Sequence, residues 1–159
     1  MVKDVITVEP RQSVKKAAEL MKKNEIGSLI VVEDEKPIGI VTERDMVNRV
    51  LILDRDPHKM KVQDIMTGSL VSGKPDMEIM QAARLMFKRG IKKLPVIDRG
   101  RLIGIVTLTD LVYSQEVLEE MVGLLSAMED APPKRIVKVL HPLLRIVGPV
   151  EIPAKNGKI

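Results

Sequence analysis

The 159-residue chain has no cysteine and no tryptophan, and only one phenylalanine (Phe87) and one tyrosine (Tyr113). Without cysteine there are no disulfides, no thiolate nucleophile and no Cys-based metal site. The two histidines, His58 and His141, each sit beside a proline and far apart, so no His-built metal centre is expected. The scarcity of aromatics leaves no stacking platform for single-stranded nucleic acid. No apolar run approaches the ~18–20 residues of a membrane span. The opening Met-Val-Lys-Asp-Val has no signal-peptide pattern, which makes the cytoplasm the expected compartment, with no membrane contact. Neither a Gly-x-x-x-x-Gly-Lys-[Ser/Thr] loop nor a Gly-x-Gly-x-x-Gly loop occurs, and no Ser/His/Asp set can be assembled. No catalytic residue, metal ligand or cofactor is nominated, and the chain is not expected to be an enzyme.

What is present is 45% apolar and 30% charged, the composition of a soluble globular chain. Its length suffices for one packed domain or two half-domains sharing a core. The net charge of +4 is unevenly placed. Residues 1–130 hold 20 basic and 21 acidic side chains, whereas residues 131–159 hold Lys134, Arg135, Lys138, Arg145, Lys155 and Lys158 against Glu151 alone. The basic character belongs to the tail, and the body presents no basic face of the kind that binds nucleic acid.

The chain repeats itself. Gly39-Ile40-Val41-Thr42-Glu43-Arg44-Asp45 returns 65 residues later as Gly104-Ile105-Val106-Thr107-Leu108-Thr109-Asp110. Residues 1–53 laid on 66–118 without gaps give 18 identities, where ordinary residue usage gives roughly 3 or 4. A duplication of this kind implies two copies of one unit, related by a pseudo-two-fold axis and offering two quasi-equivalent clefts.

Each copy reads as β-α-β-β-α. In the first, residues 5–9 form a short strand ending at Pro10. Ser13 is an N-cap for a helix over 14–23, with Val14, Ala17, Ala18 and Met21 on one face. Ser28–Val32 and Pro37–Thr42 form a hairpin around Glu33-Asp34-Glu35-Lys36, and Asp45–Leu53 forms a second helix. The second copy predicts a strand at 70–73, a helix at 77–88, strands at 94–97 and 102–106, and a helix at 109–120 that continues to about Met128. Residues 54–65 join the copies. The division is 1–60 for the first repeat with its linker, 61–120 for the second, and 121–159 for the helix end and tail. The tail's apolar residues, from Ile136 to Val147, are expected to be ordered and to dock on the body or on a second subunit.

The repeated Gly-Ile-Val-Thr-x-x-Asp element stands where a strand meets a helix. Amides at a helix start attract anions, a threonine hydroxyl can hold a phosphate or ribose oxygen, and an aspartate can accept two hydrogen bonds from a vicinal diol. The same Thr-x-x-Asp spacing is also a capping box, in which the two side chains cap each other's backbone amides. The residues alone leave both readings open.

Taken together, the repeat order, the paired alanines (Ala17-Ala18, Ala82-Ala83), the Leu94-Pro95-Val96-Ile97-Asp98 run and both Thr-x-x-Asp elements resemble a tandem CBS-domain pair, or Bateman module, over about residues 1–120. The likeness is to stand-alone prokaryotic, archaeal-like members. The resemblance implies an α+β fold of two pseudo-two-fold-related β-α-β-β-α repeats with a C-terminal extension. It also implies a sensor that binds AMP, ADP, ATP or S-adenosylmethionine between the repeats and controls an unidentified partner protein in trans. Carried over by position, Thr42, Arg44 and Asp45 would serve the first cleft, with the base near Ile6, Val8 and Ile40. Thr107 and Asp110 would serve the second, with the base near Val71, Gly73 and Ile105. Lys92 and Lys93, before Leu94 and Pro95, would meet phosphate there, whereas the first copy has Gly27 and Ser28. The second cleft is therefore expected to prefer the more phosphorylated ligand. A homodimer through helix faces around Met46, Val47, Val50, Leu111, Val112 and Leu118 is expected. Two other readings compete: a nucleic-acid-associated regulator using the basic tail, and a purely structural dimerisation module.

Overall fold

The computed structural model describes residues 1–112 and 115–127. The elements are β1 (Thr7–Val8), α1 (Val14–Lys23), β2 (Ser28–Glu33), β3 (Lys36–Thr42), α2 (Glu43–Met46), α3 (Val62–Ile65), α4 (Ile79–Arg89), β4 (Lys93–Asp98), β5 (Arg101–Thr107), α5 (Leu108–Val112) and α6 (Gln115–Ser126). α2 runs directly into a wider π-helical turn over Val47–Leu51. The expected ordering and docking of the tail, and the helix end at Met128, lie outside the described residues.

In the first repeat β1, β2 and β3 form one sheet. β1 pairs in parallel with β2, Thr7 opposite Ile30 and Val8 opposite Val31. β2 and β3 form an antiparallel hairpin from Ser28↔Thr42 to Glu33↔Lys36. Its two-residue turn places Asp34 and Glu35 at φ 47° and 63°, the backbone that matches strand twist at a hairpin. The expected N-cap of α1 is present: Ser13 Oγ accepts from Lys16 N at 3.2 Å. The predicted stripe buries Val14, Ala17 and Met21 against Leu29, Val31 and Val41 of the sheet. Val50 from the π-turn, with Val62 and Ile65 from α3, completes this core. The joining segment is laced onto the start of α1, with Val14 N bonded to Met60 O, Lys15 N to Pro57 O and Val62 N to Gln12 O at 2.9–3.0 Å.

The second repeat has a reduced first element: within 70–73 only Gly73 stands in a β-bridge, and among the described residues the second sheet is β4 with β5. By the 65-residue repeat, Pro95 stands where Ile30 meets β1. Proline has no amide to donate to a neighbouring strand, so Leu70–Gly73 has a poorer edge to join. The β4–β5 turn again uses positive φ, at Arg99 (46°) and Gly100 (82°). α4 packs against α5 and α6. Ala82, Ala83, Met86 and Phe87 of α4 and Val117, Leu118, Met121 and Leu125 of α6 are buried, and Arg84 Nε meets Glu120 Oε1 at 2.8 Å.

The chain divides into two compact units, one holding Val2–Ser72 with Pro95–Gly104, the other Gly73–Leu94 with the described residues from Ile105 on. The two Thr-x-x-Asp elements fall in different units.

Candidate functional site

The first element is built at the end of the β2–β3 hairpin. Gly39 lets the backbone approach the start of the second repeat: a Cβ there would lie 2.8 Å from Thr67 O and 2.9 Å from Met66 Sδ. Ile40 then exchanges both backbone hydrogen bonds with Thr67, at 3.0 and 2.8 Å. Two residues on, the strand ends in a closed capping box. Asp45 Oδ2 accepts from Thr42 N at 2.9 Å and from Thr42 Oγ1 at 2.7 Å, while Thr42 Oγ1 accepts from Asp45 N at 3.3 Å. Glu43 N donates to Gly27 O at 3.1 Å.

The second element repeats this wiring. Thr107 N donates to Asp110 Oδ2 at 3.0 Å and Asp110 N to Thr107 Oγ1 at 3.1 Å. Leu108 N donates to Lys92 O at 2.8 Å, the counterpart of the Glu43–Gly27 bond.

Of the two readings of the motif, these bonds show the capping box: the amides of Thr42, Glu43 and Asp45 all have intramolecular partners, and α2 spans only Glu43–Met46 before the π-turn. The predicted second helix at Asp45–Leu53 is thus a short α-turn followed by a π-turn. The capping reading describes the geometry in both copies. It leaves the second carboxylate oxygen, Oδ1, as the acceptor each aspartate can offer to a ligand. Asp45 is the more enclosed, with 15% of its side chain exposed and Arg49 Nη2 3.8 Å from Oδ1. Asp110 is exposed.

The remaining candidates divide by exposure. Ile6, Ile40, Val71, Ile105 and Lys93 are half-buried, Arg44 and Lys92 exposed, and Val8, Gly73 and Pro95 buried. Val8 belongs to the first repeat's core. A Cβ on Gly73 would meet Leu94 Cδ2 at 3.1 Å, which makes that glycine a packing residue as well. A cavity of about 700 Å³ is lined by Thr7–Gln12 and Val32–Glu35, and of the first-cleft candidates only Val8 is in its wall. That wall carries Glu9, Glu33, Asp34 and Glu35 against Arg11, a charge balance that disfavours phosphate. Among the described residues no group of His, Cys, Asp and Glu is placed to hold a metal ion, and no helix is long and apolar enough to cross a membrane.

Arg49 was not singled out from the sequence. Its Nη1 donates to the carbonyls of Ile65 and Met66, the latter at 3.0 Å. The available signal was its position four residues after Asp45, the spacing at which an acid and a base meet on a helix.

The sequence matches the CBS domain family over residues 1–52 and 62–117. It is 39% identical over 118 residues to an uncharacterised protein of Methanopyrus kandleri, covering 73% of this chain and 60% of that one. It is 39% identical over 115 residues to the CBS domain-containing protein YhcV of Bacillus subtilis, covering 72% and 81%. An inosine-5'-monophosphate dehydrogenase of Methanocaldococcus jannaschii is 38% identical over 138 residues, but only 27% of that enzyme is matched. Among solved structures, a CBS-domain protein of Burkholderia ambifaria superposes with a TM-score of 0.66 at 34% identity, covering 71% of this chain and 83% of that one. A hexameric CBS-CP12 protein from cyanobacteria reaches 0.65 at 27% identity, covering 89% and 94%.

Proposed function

The chain belongs to the CBS domain family, and from that premise we propose that it is a non-catalytic sensor of adenine nucleotides or S-adenosylmethionine acting on a separate partner protein. The observation that carries this is the same capped carboxylate in both repeats. Thr42 fixes Oδ2 of Asp45 through two hydrogen bonds, and Thr107 N fixes Oδ2 of Asp110. A carboxylate held by one oxygen offers the other to a ribose diol with little loss of side-chain freedom, which favours binding. Half-buried Ile6 and Ile40 in one repeat, and Ile105 in the other, supply apolar surface for the base. Lys92 and Lys93 give the second site the charge that the first lacks at Gly27 and Ser28, so ATP favours the Asp110 site and AMP the Asp45 site.

Signalling requires that ligand bind two states of the protein unequally. A homodimer is the assembly through which a change would be read. The expected dimer face needs revision: Val50, Leu111 and Leu118 are buried within the chain, while Leu51, Ile52 and Leu53 stand exposed beside Val47, Leu51 at 74% and Ile52 at 68%. Those four residues are the apolar surface offered to a second copy.

The test is equilibrium binding of AMP, ADP, ATP and S-adenosylmethionine to the full chain, with sedimentation of the free and saturated protein. Saturable binding of at least one compound supports the reading. Binding by none, with a stable dimer throughout, supports the structural module instead. Salt-sensitive nucleic-acid binding that is lost on truncation after Asp130 supports the tail-mediated alternative.

A further inference from the structure

Resting on the reading of Asp45 as a ligand carboxylate, we propose that Arg49 is a positioning residue that ties occupancy of Asp45 to the segment joining the repeats, a device confined to the first site. The guanidinium has two sets of partners. Nη2 faces Asp45 Oδ1 at 3.8 Å, the oxygen that Thr42 leaves for a ligand. Nη1 donates to the carbonyls of Ile65 and Met66, at the end of α3. The planar fork of arginine makes such double use possible, and lysine, whose three donors share one nitrogen, cannot reproduce it. Arg49 reaches these carbonyls from the π-turn Val47–Leu51, and a π-turn is a widened coil that recurs at functional positions.

The segment that Arg49 holds is one that ligand binding could move. Ile65 is fully buried in the first repeat's core, and Met66 N bonds to Val62 O at 2.9 Å. The next residue, Thr67, forms the two-bond bridge to Ile40, itself a candidate base neighbour. Asp45, Arg49, Ile65–Met66, Thr67 and Ile40 thus form a closed circuit within one compact unit. A diol on Oδ1 shares that oxygen with the guanidinium and fixes the carboxylate. Opening of the joining segment, which must pull the carbonyls from Arg49, then costs more. The second repeat has Ser114 at the corresponding position in the sequence, a residue without a guanidinium.

The experiment compares hydrogen exchange at the Met66 amide in free and saturated protein, using AMP or whichever of the four compounds binds the wild type. Saturation should slow exchange there by about tenfold in the wild type, a coupling within the usual allosteric range. Arg49→Met should reduce that ligand-induced ratio to less than about twofold, because the coupling runs through the guanidinium. Arg49→Lys should fall between, and Asp110→Ala should leave the ratio unchanged. Were Arg49 merely structural, Arg49→Met would speed exchange equally with and without ligand and preserve the ratio. That result overturns the proposal while the sensor reading stands. Failure of the wild type to bind any of the four compounds removes the sensor reading and this one with it, before any Arg49 variant is made.

Discussion

The two repeats share a motif and differ in what surrounds it. In the first, the Thr42–Asp45 box ends the third strand of a three-stranded sheet, its aspartate enclosed and faced by Arg49. In the second, the Thr107–Asp110 box follows a two-stranded hairpin, its aspartate exposed, with Leu108 N bonded to Lys92 O. The capping geometry survives in both because it stabilises the strand-to-helix junction whether or not a ligand is bound. The environment diverges because the junction does not constrain it. In such a duplication the motif reports ancestry, and the proposed difference in ligand preference rests on what surrounds it.

The largest expected effect tests whether the two cores are equally tight. Leu29 and Leu94 occupy the same register, 0% and 1% exposed. Truncating either to alanine should cost about 3 kcal/mol, measured by urea unfolding. A loss below about 1 kcal/mol for one alone would show that its repeat is the looser. Next in size is the proline difference. Ile30→Pro should cost about 3 kcal/mol by removing a donor between strands and should speed exchange at Val8. Pro95→Ile should instead slow exchange over Leu70–Gly73. Unchanged exchange in both variants would separate the missing strand from Pro95. The smallest effect concerns the ends of α1 and α4. Glu25 and Gly90 stand at matching positions with φ 53° and 62°. Glu25→Gly should raise the melting temperature, and Gly90→Ala should lower stability by about 1 kcal/mol.

Much of this was legible in the sequence because it rests on local rules. The bounds of α1 follow from Ser13 and the Val14-Ala17-Met21 stripe, and both hairpins follow from apolar runs around short polar turns. The Thr-x-x-Asp boxes were read as either cap or site, and their capping half is seen at both positions. What escaped was set by contacts between distant segments. Residues 70–73 have strand-like composition, but a strand needs a neighbour with amides, and Pro95 lies more than 20 residues away in the chain. Val50, Leu111 and Leu118 look like exposed dimer contacts on a helical wheel, but Val50 joins α3 in the first core and α4, α5 and α6 pack on one another. Arg49 reads as one more surface charge until the chain returns Ile65 and Met66 to it.

The central claim, a sensor with two unlike adenosyl sites, is tested most directly by calorimetric titration of AMP and ATP into wild type, Asp45→Ala and Asp110→Ala. The account predicts saturable binding at two sites. Asp45→Ala should mainly weaken AMP and Asp110→Ala mainly ATP, each by about tenfold or more, the value of one or two charge-assisted hydrogen bonds. Binding that neither substitution changes, or no binding at all, would contradict it.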